Sequence, residues 1–408
     1  MRNRPWRAPR SPSRDYAVRG RAEHHNRAPT GKSHMPTLTC YPIGNADCSV
    51  IDNLQSGKTI VFDYANMRDS SDKADLRIDL ASELSRKFKA EGRDEVDVLV
   101  FTHLDRDHIK GAHEFFHFDH AEVHQGGIKV KELWVPAAAI VESGLDDDSR
   151  IIRSEARHRL KQGTGIRVFS GPDVLNDWFR ENGLTYESRK HLIVDAGTLV
   201  PGFTSNVDGL EIFAHSPFAH RLDNGATINR NTDAILVQMT FFVNGVTTKL
   251  LLGADAKYQD LSEIVDITRE HAREDRLEWD IFHLPHHCSY TALGPPENKG
   301  EDKTEPVENV RWLIEDQSRT GAIVVSPSDP IPLLGDSVLP PHRQAANYYR
   351  EVVAKKNGKF VVTMDHPSRS QPMPLVIEID DTRARVIGLV PGAAYATVSQ
   401  PAPRAGKG

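Results

Sequence analysis

Four side chains able to ligate a divalent ion, His103, Asp105, Asp107 and His108, fall within six residues directly after the largely apolar run 96–101. Imidazole mixed with carboxylate suits Zn, Mn or Fe better than Ca, and a loop at the end of a buried strand lets such groups converge on one crevice. Taken singly, each is equally well an ordinary polar turn residue, with Asp107 capping the helix that follows. Taken together they point to a metal. Three further candidates stand in the same place relative to apolar runs: His215 after 210–214, Asp255 after 250–254, and the pair His286 and His287 after 281–285. One polar residue at a strand end is usually a hydrogen-bonded one; recurrence at matched positions favours a shared centre.

The elements that must position these groups read as two similar halves. Strand patterns at 38–43, 48–53 and 59–62, with a Ser56-Gly57 turn, form an antiparallel meander that ends at Asp63. Leu76, Leu80, Leu84 and Phe88 at i+4 steps predict an amphipathic helix over 73–91, capped by Asp72 and stopped by Gly92. The run 96–101 is then a strand buried on both faces. Residues 112–205 alternate short strand and helix patterns with several glycines, and we read them as an α/β insertion that shapes or covers a site. The second half gives a strand at 210–214 and a hairpin, 234–243 with 246–252, joined by Asn244-Gly245, the pair favoured in a type I′ turn. A helix near 258–275, strands at 280–284 and 322–325, a helix at 343–356 and a strand at 360–364 follow. Two meander-plus-helix halves predict a four-layer αββα sandwich over 35–392.

The order Phe62-Asp63, Thr102-His103-x-Asp105-x-Asp107-His108, Ser-Pro after His215, Asn231 to Val237, Leu252-Gly253-Ala254-Asp255 and Leu284-Pro285-His286-His287-Cys288-Ser289 resembles the metallo-β-lactamase superfamily. More narrowly it is similar to the hydrolase domain of ComEC-type competence proteins, with their His-x-Asp-x-Asp-His and His-His-Gly-Ser elements. The resemblance covers 38–365 except 112–205. It implies a metallo-β-lactamase fold with two divalent ions, Zn or Mn. The first would be held by His103, Asp105 and His215, and the second by Asp107, His108 and one of the His pair, with Asp255 bridging both. His287 occupies the family's position before Gly-Ser and is the preferred ligand, leaving His286 to orient a ligand or solvent. Pro340-Pro341-His342 resembles a family Tyr-Gly-His-Pro element, so His342 either contacts a substrate oxygen or merely starts a helix. Asp105 in place of a second His hardens one site toward Mn. Cys288 replaces a Gly, as a thiolate turned inward or an inert small residue turned outward. The resemblance further implies a metal-bridging hydroxide that attacks phosphorus or carbonyl carbon, with Asp107 or Asp63 accepting its proton. The leading expectation is a phosphodiesterase or nuclease acting on nucleic acid or a nucleotide; the others are hydrolysis of an ester, thioester or lactone, and a non-catalytic metal-stabilised interaction module.

Composition bounds these readings. The 408 residues are 38% hydrophobic and 26% charged, as in a globular chain. Residues 1–34 carry eight Arg and Lys32 against Asp15 and Glu23, so the net charge of −6 divides into a +7 leader and a −13 body. The acidic body argues against broad duplex binding, whose affinity comes from Lys and Arg on phosphates. The leader reads as disordered; a nucleic-acid arm, an organelle presequence, or a start of translation at Met35 are its alternatives. Residues 393–408 read as a flexible tail. Three cysteines make no disulfide framework, and no apolar run is long enough for a signal peptide or a membrane span, so cytoplasmic placement is expected. A DNA-uptake channel is thereby excluded, and Asp105 with the missing signal peptide disfavours a β-lactamase proper. No phosphate-binding Gly-Lys loop, dinucleotide fingerprint or nucleophile elbow occurs. His113, His117, His120 and His124 read as the helix after the first motif and its exit, and Cys40 with Cys48 do not make a zinc site.

Overall fold

In the computed structural model the strands run, in chain order, β1 Thr37–Cys40, β2 Ser49–Asp52, β3 Ile60–Phe62, β4 Glu95–Val100, β5 Phe116–His117, β6 Ile128–Pro136, β7 Ile166–Phe169, β8 Ile193–Val194, β9 Leu210–Ser216, β10 Leu236–Val243, β11 Val246–Leu252, β12 Trp279–His283, β13 Ser318–Ser326 and β14 Lys359–Val362; a small hairpin of β15 Pro367–Ser368 and β16 Gln371–Pro372 follows, then β17 Leu375–Ile379 and β18 Ala384–Ile387. The structure describes residues 35–120, 127–222, 228–335 and 337–388, so the leader, the tail and His124 lie outside the described residues.

The first sheet has the order β18-β17-β1-β2-β3-β4-β6-β7-β8, with β5 beside β6, and the second β14-β13-β12-β11-β10-β9. Each combines an antiparallel meander with a parallel extension: β1 to β3 turn parallel at β3/β4, and β9 to β11 turn parallel at β11/β12. Parallel strands need helical crossovers and are covered on both faces, which is why Val98, Leu99 and Val100 of β4 are all buried.

Three apolar clusters define four layers. Between the sheets, Leu38, Ile51, Phe62, Val100 and Trp134 meet Ile212, Met239, Leu250, Ile281 and Val325. On the outer face of the first sheet, Val50, Leu99 and Val168 pack under Leu84 and Phe88 of helix Leu80–Glu91 and Ile152 and Leu160 of helix Asp147–Gln162. Outside the second, Leu251, Phe282 and Val324 pack under Ile264, Leu313 and Tyr349 from helices Tyr258–Glu270, Glu308–Glu315 and Arg343–Lys355. The αββα sandwich expected from the two halves is the architecture observed.

Within residues 112–205, read from the sequence as an α/β insertion, β6, β7 and β8 continue the first sheet in parallel from β4, and their helices share its outer core. One element boundary is corrected. The helix predicted over 73–91 starts only at Leu80, where Asp79 accepts from the Ser82 amide at 3.1 Å. Before it, Asp75 accepts from the Asp69 amide and holds the Arg77 guanidinium, local bonds that favour a turn over a first helical turn and leave Leu76 half-exposed. Two strands that the sequence reading did not place extend the first sheet: β17 pairs with β1, and β18 with β17. The Asn244-Gly245 turn has φ of +49° and +85°, as a type I′ turn requires. Among the described residues no helix is long and apolar enough to cross a membrane.

Candidate metal centre

The loops after the parallel strands open on one edge of the sandwich, where side chains can leave the sheet and meet. Phe62 of β3 lies opposite Val100 of β4, and Leu252 of β11 opposite His283 of β12, so the segments bearing Asp63, His103, Asp255 and His287 emerge in adjacent pairs. Asp47, in the β1–β2 turn, joins them through its amide, which donates to the Asp107 carbonyl at 3.0 Å.

Asp47, His108, Asp255 and His287 bring one donor atom each within 4.8 Å of one another, and all four are buried. His108 Nε2 lies 3.2 Å from Asp255 Oδ1 and 3.9 Å from Asp47 Oδ2, while His287 Nε2 lies 3.9 Å from Asp255 Oδ1. Both Asp47 oxygens, Asp255 Oδ1, His108 Nε2 and His103 Nε2 are buried without a hydrogen-bond partner. Buried polar atoms are rarely left unpaired, so five of them among adjoining Asp and His side chains call for a bound group. The other ring nitrogens fix the tautomers. His108 Nδ1 meets Asp63 Oδ2 at 2.8 Å, and His287 Nδ1 meets the Pro327 carbonyl, an acceptor only, at 2.9 Å. Each Nδ1 therefore carries a proton and each Nε2 is the ring atom that faces the centre, the orientation of metal-ligating histidines. The donor set fits a divalent transition ion.

A second set adjoins the first. His103 Nε2 is 3.6 Å from Asp105 Oδ2 and 3.9 Å from Asp255 Oδ2, so the two Asp255 oxygens face different histidines. Arg230 holds Asp105 Oδ1 at 2.9 Å, and Asn231 donates to Asp255 Oδ2 at 3.4 Å. Asp107 Oδ2 lies 3.2 Å from His287 Nε2, and the Asp107 side chain is one-third exposed at the mouth.

Among these side chains alone, burial disfavours the His287 cation, but the Asp107 hydrogen bond and the Asp255 and Asp47 charges outweigh it and raise the group to about 9. Burial likewise opposes the His108 cation, and Asp63 and Asp255 hold it well above the ordinary imidazole range. Burial and the nearby His108 take His103 down to about 4. Burial raises Asp107, and the His287 bond with the His108 charge more than reverses this, to about 2. A metal would thus displace protons from two histidines.

The backbone of the His287 loop is unusual. His286, His287 and Cys288 all have positive φ, 50°, 51° and 64°, and Ala254 and Asp63 do too, at 45° and 53°. Residues with a Cβ lose about 1–2 kcal/mol each in this left-handed region, and strain of this kind gathers at functional sites. It turns His287 inward and leaves His286 half-buried at the mouth, with Nδ1 3.2 Å from Thr291 Oγ1.

Several expected roles change. His215 does not join the group. Alternation along β9 puts Leu210, Ile212 and Ala214 into the inter-sheet core and His215 on the opposite, helix-covered face, beside Phe213 and Phe218, where Nε2 donates to the Arg276 carbonyl at 2.8 Å. Asp63 is no proton acceptor: Oδ1 receives the Thr102 amide at 2.7 Å, and Oδ2 receives both the Thr102 hydroxyl and His108. The Cys288 side chain is buried in the helix-side core of the second sheet, outside the Asp/His group, and burial pushes its thiol up to about 12, so it is no thiolate ligand. His342 braces the His287 loop, its amide donating to the Cys288 carbonyl at 3.1 Å and its Nδ1 accepting from the Tyr290 amide at 3.4 Å.

Two residues of the candidate centre escape the sequence reading. Asp47 follows no apolar run, and its signal is only a carboxylate in a short Gly44-containing turn at the sheet edge that carries the other donors. His283, inside β12, places Nε2 3.3 Å from Asp47 Oδ1 and 3.5 Å from Ser49 Oγ, and reads in sequence as an ordinary strand residue.

Comparison with family models finds no match, nor does comparison with curated proteins. Among solved structures the chain is similar to unliganded yeast PDE1, with 10% identity, 81% of this chain and 98% of that chain covered and a TM-score of 0.40. It is also similar to a diphosphatase of the PhnP family (10% identity, 71% and 85% covered, TM-score 0.29). A third is MEM-A1, a subclass B3 metallo-β-lactamase from a soil metagenome library (14% identity, 60% and 75% covered, TM-score 0.30).

Proposed function

We propose that this chain is a metal-dependent hydrolase whose substrate is a phosphodiester. The carrying observation is the buried group Asp47, His108, Asp255 and His287, with one donor atom of each within 4.8 Å of the others, together with the unpartnered atoms of Asp47, His108, Asp255 and the adjoining His103. Asp47, His108, Asp255 and His287 would hold one divalent ion, and His103, Asp105 and the second Asp255 oxygen another, with Zn and Mn the candidates. Such ions supply an acidified water and neutralise charge on a phosphoryl oxygen. The chain's own residues do the rest. Asp63 and the Pro327 carbonyl orient the His108 and His287 rings, and Arg230 orients Asp105. Asp107, held as a carboxylate and reachable from solvent, accepts a hydrogen bond from the attacking water and orients it. Phosphodiester preference rests on the motif resemblance and on the hard, oxygen-rich donor set; the ComEC-type likeness rests on the motifs alone.

The test is turnover of bis(p-nitrophenyl) phosphate and of a lactone by the wild type and His287→Ala, each loaded with Mn or Zn, alongside elemental analysis. We expect diester cleavage favoured by Mn, lost by orders of magnitude in His287→Ala, with more than one ion per chain. Lactone hydrolysis without diester cleavage would replace the phosphodiester reading, and activity unchanged in His287→Ala would remove the assigned ligand.

A further inference from the structure

The solvent face of helix Asp147–Gln162 carries Arg150, Arg153, Arg157 and Lys161 at steps of three and four residues, a single file about 16 Å long. With His120 and His158 they line a cleft of about 410 Å³ whose lining, among the described residues, includes no acidic side chain. None of the four cations makes an ion pair among the described residues. Two are nevertheless held in place: Arg153 Nη1 donates to the Glu142 carbonyl and Arg157 Nε to the Ile140 carbonyl, both at 2.7 Å. These bonds use one of five guanidinium donors each and neutralise nothing. Arg157 and Lys161 also lie 5.9 and 5.7 Å from the Trp178 ring, which fixes their stems. At the cleft the His120 and His158 rings stack, 4.4 Å between centroids and 5° from parallel. On an acidic body this is a row of four cations, two of them held by hydrogen bonds, with the Glu181 charge acting on Arg157.

The helix also buttresses the metal loop. Asp148 accepts from the Gly111 amide at 3.0 Å and pairs with His113, and the short helix Arg106–Ile109, which carries Asp107 and His108, packs against it.

We propose that this cleft binds the phosphate backbone of single-stranded nucleic acid, which makes such a strand the substrate class of the centre proposed above. A single file of cations on one convex helix can follow one backbone and not two, and the flat imidazole pair offers a surface on which an unpaired base stacks. The substrate assignment rests on the hydrolase reading; the binding itself does not.

The experiment measures anisotropy of fluorescein-labelled dT15 with the full chain in chelator at 50 to 200 mM NaCl, for the wild type and for Arg150→Ala/Lys161→Ala. Those two side chains donate no structural hydrogen bond, and loss of the Lys161–Trp178 contact costs about 0.5–1 kcal/mol, so the melting temperature should fall by only a few degrees. We expect about tenfold weaker binding at 50 mM salt and a slope of log affinity against log salt reduced by about 1 to 2. Bis(p-nitrophenyl) phosphate turnover should be unchanged in the variant. Equal affinity and slope in the two proteins would overturn the inference. So would row-dependent binding to phosphatidylserine vesicles without binding to dT15. A chain that cleaves the small diester but binds dT15 without needing the row loses only this inference. One that cleaves nothing, yet binds dT15 through the row, loses only the hydrolase reading.

Discussion

Replacing Asp47 by Asn should separate stability from metal binding. Asp47 is 5% exposed, neither oxygen has a hydrogen-bond partner, and burial pushes its carboxyl up to about 7 from 3.8, against the partial relief of the His108 and His287 charges. The sign follows from which state holds the proton. Below about pH 4 both folded and unfolded chains are protonated and nothing is lost. Between pH 4 and 7 only the unfolded chain releases its proton, so stability falls as pH rises, and above 7 the whole cost stands. At about 1.4 kcal/mol per unit, the shift amounts to about 4 kcal/mol. Asn escapes that cost but leaves its amide unpaired in the same place, at about 1–3 kcal/mol. The variant should therefore be more stable than the wild type by about 2 kcal/mol at pH 8 in chelator, with no gain at pH 4.5. Saturating Zn or Mn should invert the order, since a ligand at 1,000 times its Kd stabilises the intact site by about 4 kcal/mol and the depleted site by less. Urea denaturation at both pH values, with chelator and with metal, reads all four cases. An Asp47→Asn protein that is less stable at pH 8 in chelator, or that gains as much from metal as the wild type, would refute the placement of Asp47 among the ligands.

His215, lowered to about 4 from 6.5 by burial, is kept neutral in the fold, so its contribution is present above pH 6.5 and is lost as pH falls toward 4, up to about 3 kcal/mol. His215→Gln should flatten that acid limb in denaturation curves and leave the metal content intact; a lost ion would restore His215 as a ligand. Asp63→Ala should weaken metal binding about 10- to 100-fold in competition with a chromophoric chelator, because it frees the His108 ring, and an unchanged affinity would contradict the orienting role. Cys40, Cys48 and Cys288 are all buried with thiols raised by burial, so a thiol reagent should label none of them until the chain is unfolded; native labelling of Cys288 would reopen its place at the site.

What was legible in the sequence was chemistry that sits at the end of an uninterrupted apolar strand. His103, His108, Asp255 and His287, which the structure brings close together, are picked out this way because a buried parallel strand leaves a long apolar run that points at its own end. Asp47 was hidden because its turn has no such run and reaches the centre through the pairing of β1 with β2. His215 was misread because strand-end position ignores side-chain parity: Ile212 and Ala214 face one side and His215 the other, an alternation already present in residues 210–215. The layers followed from local patterns in each half. β17 and β18 did not, since the pairing of β17 with β1 joins residues more than three hundred positions apart, which no local period encodes.

The continuation of the first sheet past β4 limits how this protein can be recombined. Residues 128–194 supply the neighbour that hydrogen-bonds β4 on its far side, and the Phe101 amide, two residues before His103, donates to the Trp134 carbonyl at 2.9 Å. Cutting out or exchanging this stretch would leave β4 as a bare edge, with the hydrophobic rows of Leu99 and Val100 open to other chains, and would remove the anchor of the motif loop at the same time. A chimera that keeps the donor residues but borrows β6 from elsewhere must therefore match its register to β4 before it can hold an ion.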